Sequence, residues 1–139
     1  MITLEDKIAI QELVARFTRC SDFGDWEGVA SLFTPEVVTE MEGLPIRYEG
    51  VEAQVEHAKE SANQTEGKNR HYNFNMIVFE KDDAVYAEYA FMNANAGHAP
   101  MSAKIVVTGR QRDTVVKTSD GWKIARRFVQ FDQSFSLDF

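Results

Sequence analysis

The run Arg70-His71-Tyr72-Asn73-Phe74-Asn75-Met76-Ile77-Val78-Phe79-Glu80-Lys81-Asp82-Asp83-Ala84-Val85-Tyr86-Ala87 is where the chain changes its period. Aromatic and branched residues lie on both sides of a compact turn signal, Lys81-Asp82-Asp83, a composition that favours extended backbone folded back as a hairpin. Continuing from it, the sequence predicts strands over His71 to Phe79, Val85 to Asn95, Ala103 to Thr118 and Trp122 to about Phe131, with a second turn at Ser119-Asp120-Gly121. Connections this short pair neighbouring strands antiparallel.

Upstream the spacing is helical. Thr3 and Asp6 resemble a capping box, and Ile10, Leu13, Val14 and Phe17 recur at i, i+3, i+4 and i+7, which predicts a helix from Leu4 to Cys20. Ser21-Asp22-Phe23-Gly24 should break it. Trp26, Val29, Ala30 and Phe33 then repeat the spacing in a second helix, with Asp25 as N-cap and an end before Pro35. Thr34 to Glu49 suggests two brief strands, and a third helix is expected over Val51 to Ala62. Helices followed by a long sheet is an α+β order. The expected architecture is three N-terminal helices packed on a strongly curved, mainly antiparallel sheet, closing a cone-shaped barrel with a cavity between the layers.

At 139 residues the chain is expected to form a single domain, residues 1–139, and its 44% hydrophobic content is enough to bury a core. Pro35, Pro45 and Pro100 are scattered and no linker composition appears. Fifteen basic against 22 acidic residues leave a net charge of −7, which repels phosphates and argues against nucleic acid as a partner. Cys20 is the single cysteine, so no internal disulfide can form. With carboxylates near the N-terminus and no apolar stretch of spanning length, the expected location is the cytoplasm, away from membranes.

Two chemistry-bearing residues stand 49 positions apart, Asp22 in the break between helices and His71 at the start of the first long strand. If the helical hairpin covers the sheet, the two meet at one mouth. An Asp accepting from His Nδ1 fixes the tautomer and steadies the imidazolium, leaving Nε2 as a general base. The alternative is that Asp22 is a turn or cap residue and His71 a structural histidine. His57, among Glu56, Lys59 and Glu60, is expected on the solvated side of its helix, while His98 is expected in a polar loop, with a place at the cavity entrance as the alternative. Three separated histidines carry no metal motif, so no metal is expected. Along the strand, His71, Asn73, Asn75, Ile77 and Phe79 share one face and Tyr72, Phe74, Met76 and Val78 the other. Alternation alone makes the second face the core.

Three segments together resemble the SnoaL-like branch of the nuclear-transport-factor-2-like superfamily: Ile10 to Thr34, Asn69-Arg70-His71-Tyr72-Asn73-Phe74-Asn75, and Gly109-Arg110-Gln111-Arg112-Asp113 with Asp120-Gly121-Trp122-Lys123-Ile124-Ala125-Arg126-Arg127. That resemblance covers almost the entire chain and turns the His71 face toward the cavity. In the branch's catalytic members, of the scytalone dehydratase, bile-acid 7α-dehydratase and hexachlorocyclohexane dehydrochlorinase kind, an Asp–His dyad promotes elimination, and Asp22 and His71 fall on its positions. Arg127 matches a basic position after the Gly-Trp turn, with either a substrate contact or a structural pairing to Asp113 as its role. Phe17 and Gln111 stand where tyrosines are frequent, leaving Tyr48, Tyr72, Tyr86 and Tyr89 as unassigned proton donors.

The resemblance implies a lyase, dehydratase-like, or an isomerase that needs no cofactor, acting on a small apolar or aromatic substrate. Phe17, Trp26, Phe33, Tyr48, Tyr89, Phe91 and Arg127 are the residues expected to bind that substrate. A polyketide-type aldol cyclase and a non-catalytic binding or oligomerisation module share the same features. A homo-oligomer, dimer or trimer, is expected through the outer sheet face.

Overall fold

The computed structural model describes residues 1–97 and 103–133. Helix α1 spans Leu4–Phe23, α2 Trp26–Ala30 and α3 Gly50–Gln64, and the strands are β1 Phe33–Met41, β2 Arg47–Glu49, β3 Asn69–Lys81, β4 Ala84–Asn95, β5 Lys104–Thr118 and β6 Gly121–Phe131. They form one six-stranded sheet in the order β2-β1-β6-β5-β4-β3. The β1–β6 pair is parallel and every other pair antiparallel. Helix α1 packs on β3 at one edge and α3 on β1 and β2 at the other, while α1 and α3 also touch. The sheet therefore curls around its helices, giving the expected α+β cone.

Local chemistry explains where the elements begin and end. Thr3 caps α1: its hydroxyl accepts from Asp6 N at 3.0 Å and its own N–H donates to Asp6 at 2.9 Å. Asp6 also accepts from Lys117 Nζ at 3.0 Å and Trp122 Nε1 at 3.1 Å, tying the helix start to the β5–β6 hairpin. The Thr3 backbone bond, then Lys117 and Trp122, hold the Asp6 carboxyl far below the usual range. At the other end α1 runs three residues past Cys20, and Gly24 terminates it in the left-handed region with φ of 75°. Ser21 and Asp22 are thus part of the last helical turn, not of a break.

Asp25 caps α2 by accepting from Gly28 N at 2.9 Å, as its sequence position suggests. The second helix is shorter than its spacing implies, and Phe33 opens β1 instead of closing α2. Sheet pairing captures the chain there: Leu32 O accepts from Ile124 N at 2.8 Å and Phe33 registers with Ile124. Pro35 lies inside β1, within the stretch from Phe33 to Val38 where the register shifts, so its missing N–H costs no ladder bond.

One irregularity decides the site. Between Phe74 and Ile77, β3 uses three steps where β4, from Ala90 to Glu88, uses two, and Asn75 takes up the extra residue at φ of 55°. The bulge shifts side-chain parity. Ahead of it His71 and Asn73 face the interior while Tyr72 and Phe74 are exposed; beyond it Val78 is buried and Ile77 exposed. Each half of β3 alternates, but in opposite phase.

The core fills one end of the cone, with Ile10, Leu13 and Val14 of α1 against Val29, Phe33, Val37, Val78, Ala87, Val115 and Ile124. The same elements continue past it toward an open end, where α1 presents Phe17 and Ser21, β4 presents Phe91 and Asn93, and β6 presents Val129 and Phe131.

Candidate active site

A cavity of about 250 Å³ occupies that open end, and its walls are mixed: Phe17, Phe91, Met41, Val129 and Phe131 among polar groups from every side. Cross-strand register builds the sheet wall row by row. His71 pairs with Asn93, Asn73 with Phe91, and Phe91 with Gly109, which pairs in turn with Phe131. Gly109 is obligatory in that row, since a Cβ there would lie 2.2 Å from Gln130 O and 2.7 Å from the Phe91 ring.

Asp22 and His71 meet at the wall. Asp22 Oδ1 lies 2.5 Å from His71 Nδ1, and its Oδ2 accepts from the His71 backbone N–H at 3.0 Å. One carboxylate thus grips both ends of the same residue. The Asp22 side chain is 7% exposed and the His71 ring 25%. A carboxylate at Nδ1 requires the proton on that nitrogen, so Nε2, on the far edge of the ring, is left with a lone pair.

Beneath the cavity lies a buried ion pair. Asp113, fully inaccessible, accepts from Tyr89 Oη at 2.7 Å, Gln111 Nε2 at 2.9 Å and Arg127 Nε at 3.2 Å. Arg127 lies over Phe17, its guanidinium carbon 3.8 Å from the ring centroid. Burial opposes the Arg127 charge, but Asp113 and Tyr89 outweigh it and raise its pKa. Burial, reinforced by Asp113, pushes the Tyr89 hydroxyl well above its usual value. Arg127 makes the structural pairing to Asp113, and it also lines the cavity.

Of the residues expected to bind substrate, Phe17, Phe91 and Arg127 line the cavity and four do not. Trp26 packs against the core and edges an outer groove with Phe23 and Arg70. Phe33 sits in the core with its edge against Phe17, 5.7 Å between centroids. Tyr89 precedes Phe91 by two positions on the same strand face and is buried one row deeper, on Asp113. Tyr48 stands behind His57, the rings stacked at 4.3 Å.

His57 itself corrects the sequence expectation, for it faces the cavity instead of solvent. Gln54, His57, Ala58 and Ser61 follow i, i+3, i+4, i+7, a helical stripe that reading only the apolar residues of α3 overlooks. Gln54 is held by Thr39, which donates to its Oε1 at 2.6 Å, and by donating to Tyr48 O at 3.0 Å. Asn93, which the sequence does not single out, also lines the cavity, and among the described residues its buried Oδ1 has no partner. His98 and Pro100 lie outside the described residues. Among the described residues no cluster of His, Cys, Asp and Glu has the makings of a metal site, and no helix is long and apolar enough to cross a membrane.

Comparison with known proteins places the fold. No curated protein matches the chain. Among solved structures it is similar to Aln2 from a Streptomyces species, 25% identical over 95% of this chain and 94% of that one, with a TM-score of 0.84. A structure from Catenulispora acidiphila in complex with S-DNPA is 25% identical over 91% and 92% of the two chains, TM-score 0.74. An NTF2-like protein with a cystatin-like fold from Novosphingobium aromaticivorans shares 20% identity over 96% and 86%, TM-score 0.83, a likeness of fold. The SnoaL-like domain family matches residues 3–128, and to that family this chain belongs.

Proposed function

We propose that the protein is a lyase or isomerase of the dehydratase kind that removes a proton from carbon without a cofactor, His71 acting as base and Asp22 as its orienting partner. The observation that carries this reading is the 2.5 Å contact of Asp22 with Nδ1 on a ring that lines the cavity. The C–H bond breaks, its electron pair moves into the substrate, and Nε2 takes the proton; Asp22 stabilises the imidazolium so formed. The substrate is a small molecule, in keeping with the cavity's size and with the ligand in the Catenulispora relative. It is less apolar than the resemblance implies, because His57, Asn73, Asn93, Gln111 and Arg127 share the walls with the aromatic rings.

A second reading has its own support. The bond from the His71 backbone to Asp22 is structural in kind, as a non-catalytic binder of this fold would need. His71→Ala separates the two, because it keeps that backbone N–H. The enzyme reading expects the melting temperature to hold while deuterium loss from a labelled carbon acid ceases; unfolding of the variant, or exchange that continues, sinks it. The outer sheet face bearing Phe74, Ile77, Ile105 and Val106 is exposed and would be covered in a homo-oligomer, which light scattering tests directly.

A further inference from the structure

The dyad supplies a base, but the electron pair it releases needs somewhere to settle, and the wall formed by α3 and β6 offers a place. His57 stands on α3 with its ring fixed against Tyr48, the planes 23° apart. It lines the same cavity as His71 and Arg127. Among the described residues neither ring nitrogen of His57 has a hydrogen-bond partner, and Arg127 uses Nε and one terminal nitrogen on Asp113 and Tyr89, leaving its other terminal nitrogen unengaged. An imidazole held by its stack, lining the cavity and bonded to no described residue, keeps a ring nitrogen for whatever enters that space. As two donors lining one cavity, the same groups suit a developing negative charge.

We propose that His57 is a further catalytic residue, a hydrogen-bond donor that works with Arg127 to hold the oxyanion formed when His71 removes the proton, and that the substrates are therefore carbonyl compounds with the reacting C–H adjacent to the carbonyl. This rests on the dyad reading. The C–H bond breaks, its pair becomes the carbon–carbon double bond of an enolate, the carbonyl oxygen takes up the negative charge, and the proton stays on His71 Nε2. Burial, the Arg127 charge and His71 all lower the His57 pKa, with Glu60 alone opposing, so the ring stays neutral and one nitrogen keeps a proton to share. A neutral donor is the useful form here: a cation at His57 would repel Arg127 and transfer its proton early, whereas a neutral imidazole stabilises the charge without quenching it.

The probe is 4-nitrophenol, whose phenolate imitates an enolate oxygen on an aromatic ring and is seen by its visible absorbance. The native protein should bind the phenolate in preference to the phenol. His57→Phe, which preserves the stack on Tyr48 and removes the N–H, should weaken phenolate binding by about 10- to 100-fold while barely changing that of the phenol. His57→Gln, with an amide donor in reach, should recover part of the loss, and phenolate should shift the ¹⁵N resonances of His57 in the unmutated protein. Failure of the native protein to prefer phenolate at millimolar concentration, or phenolate affinity in His57→Phe within about twofold of native, overturns the proposal. His71→Gln distinguishes this from the dyad: it abolishes carbon-proton exchange whether or not the phenolate preference survives.

Discussion

Asp22→Asn is nearly isosteric, and its consequence follows from the atom that Asp22 holds besides the ring. The His71 backbone N–H, which is a donor in every protonation state, points at Oδ2 from 3.0 Å. The amide of an asparagine must turn its oxygen toward that N–H, and so presents its NH₂ to Nδ1, 2.5 Å from the other carboxylate oxygen. Two donors cannot face each other, and the ring responds by moving its proton to Nε2. The base then has no lone pair where the substrate lies. Replacing charged by neutral acceptance at a side chain that is 7% exposed costs about 1–2 kcal/mol of stability, so the fold persists. Proton abstraction should fall by about 10⁴-fold, as when the aspartate orienting a triad histidine is amidated. The direct assay is ¹⁵N NMR of the histidines: His71 should carry its proton on Nδ1 in the native protein and on Nε2 in the variant. A variant that keeps the Nδ1 proton, or that exchanges a carbon-bound deuterium at the native rate, refutes the argument.

Other outcomes follow from the same geometry. Gly109→Ala places a methyl 2.7 Å from the Phe91 ring and 2.2 Å from Gln130 O; it should cost about 1–3 kcal/mol in urea unfolding and weaken 4-nitrophenol binding by driving that ring into the cavity. Asp113→Ala strands the buried Arg127 charge and should destabilise by about 3–5 kcal/mol, a loss that an intact melting curve would contradict. Because the folded pKa of His57 is lowered, the unfolded chain binds its proton first as pH falls, and this contribution to stability is complete above the ordinary value of 6.5 and lost as pH drops through the folded value. Urea midpoints of His57→Gln should therefore fall less than native between neutral and acid pH; parallel curves would contradict the shift.

What the amino acids disclosed and what they hid differ in physical kind. Turn chemistry at Asp82-Asp83, where φ is 51° and 62°, and the capping box at Thr3 and Asp6 are decided by near neighbours, and both are visible as short patterns. The end of α2 is not, since Phe33 keeps helical spacing with Trp26 and Val29 and is taken into the sheet by β6, which begins almost ninety residues later. Asp22 and His71 were nameable through a family resemblance, but their meeting depends on α1 continuing to Gly24 and on β3 turning His71 inward. Alternation along β3 argued for the opposite face because it assumes a strand without interruption. His57 was hidden by reading α3 for apolar residues alone, when the stripe facing the cavity is polar and small. Tyr89 and Phe33 were placed one layer too far out: aromatic character marks the interior of a cone without saying at which depth.

The extra residue at Asn75 makes length, as much as composition, a determinant of chemistry here. A chain lacking one residue between Phe74 and Ile77 would have to turn one half of β3 inside out, either withdrawing the imidazole to the exterior or offering Val78 to water. Neither half can be rescued by a point substitution, because the fault lies in counting and not in any side chain. A single-codon deletion at this place would thus cost either the base or the core, where most single replacements along the strand would only weaken one of them, and a compensating insertion nearby in β3 should restore both.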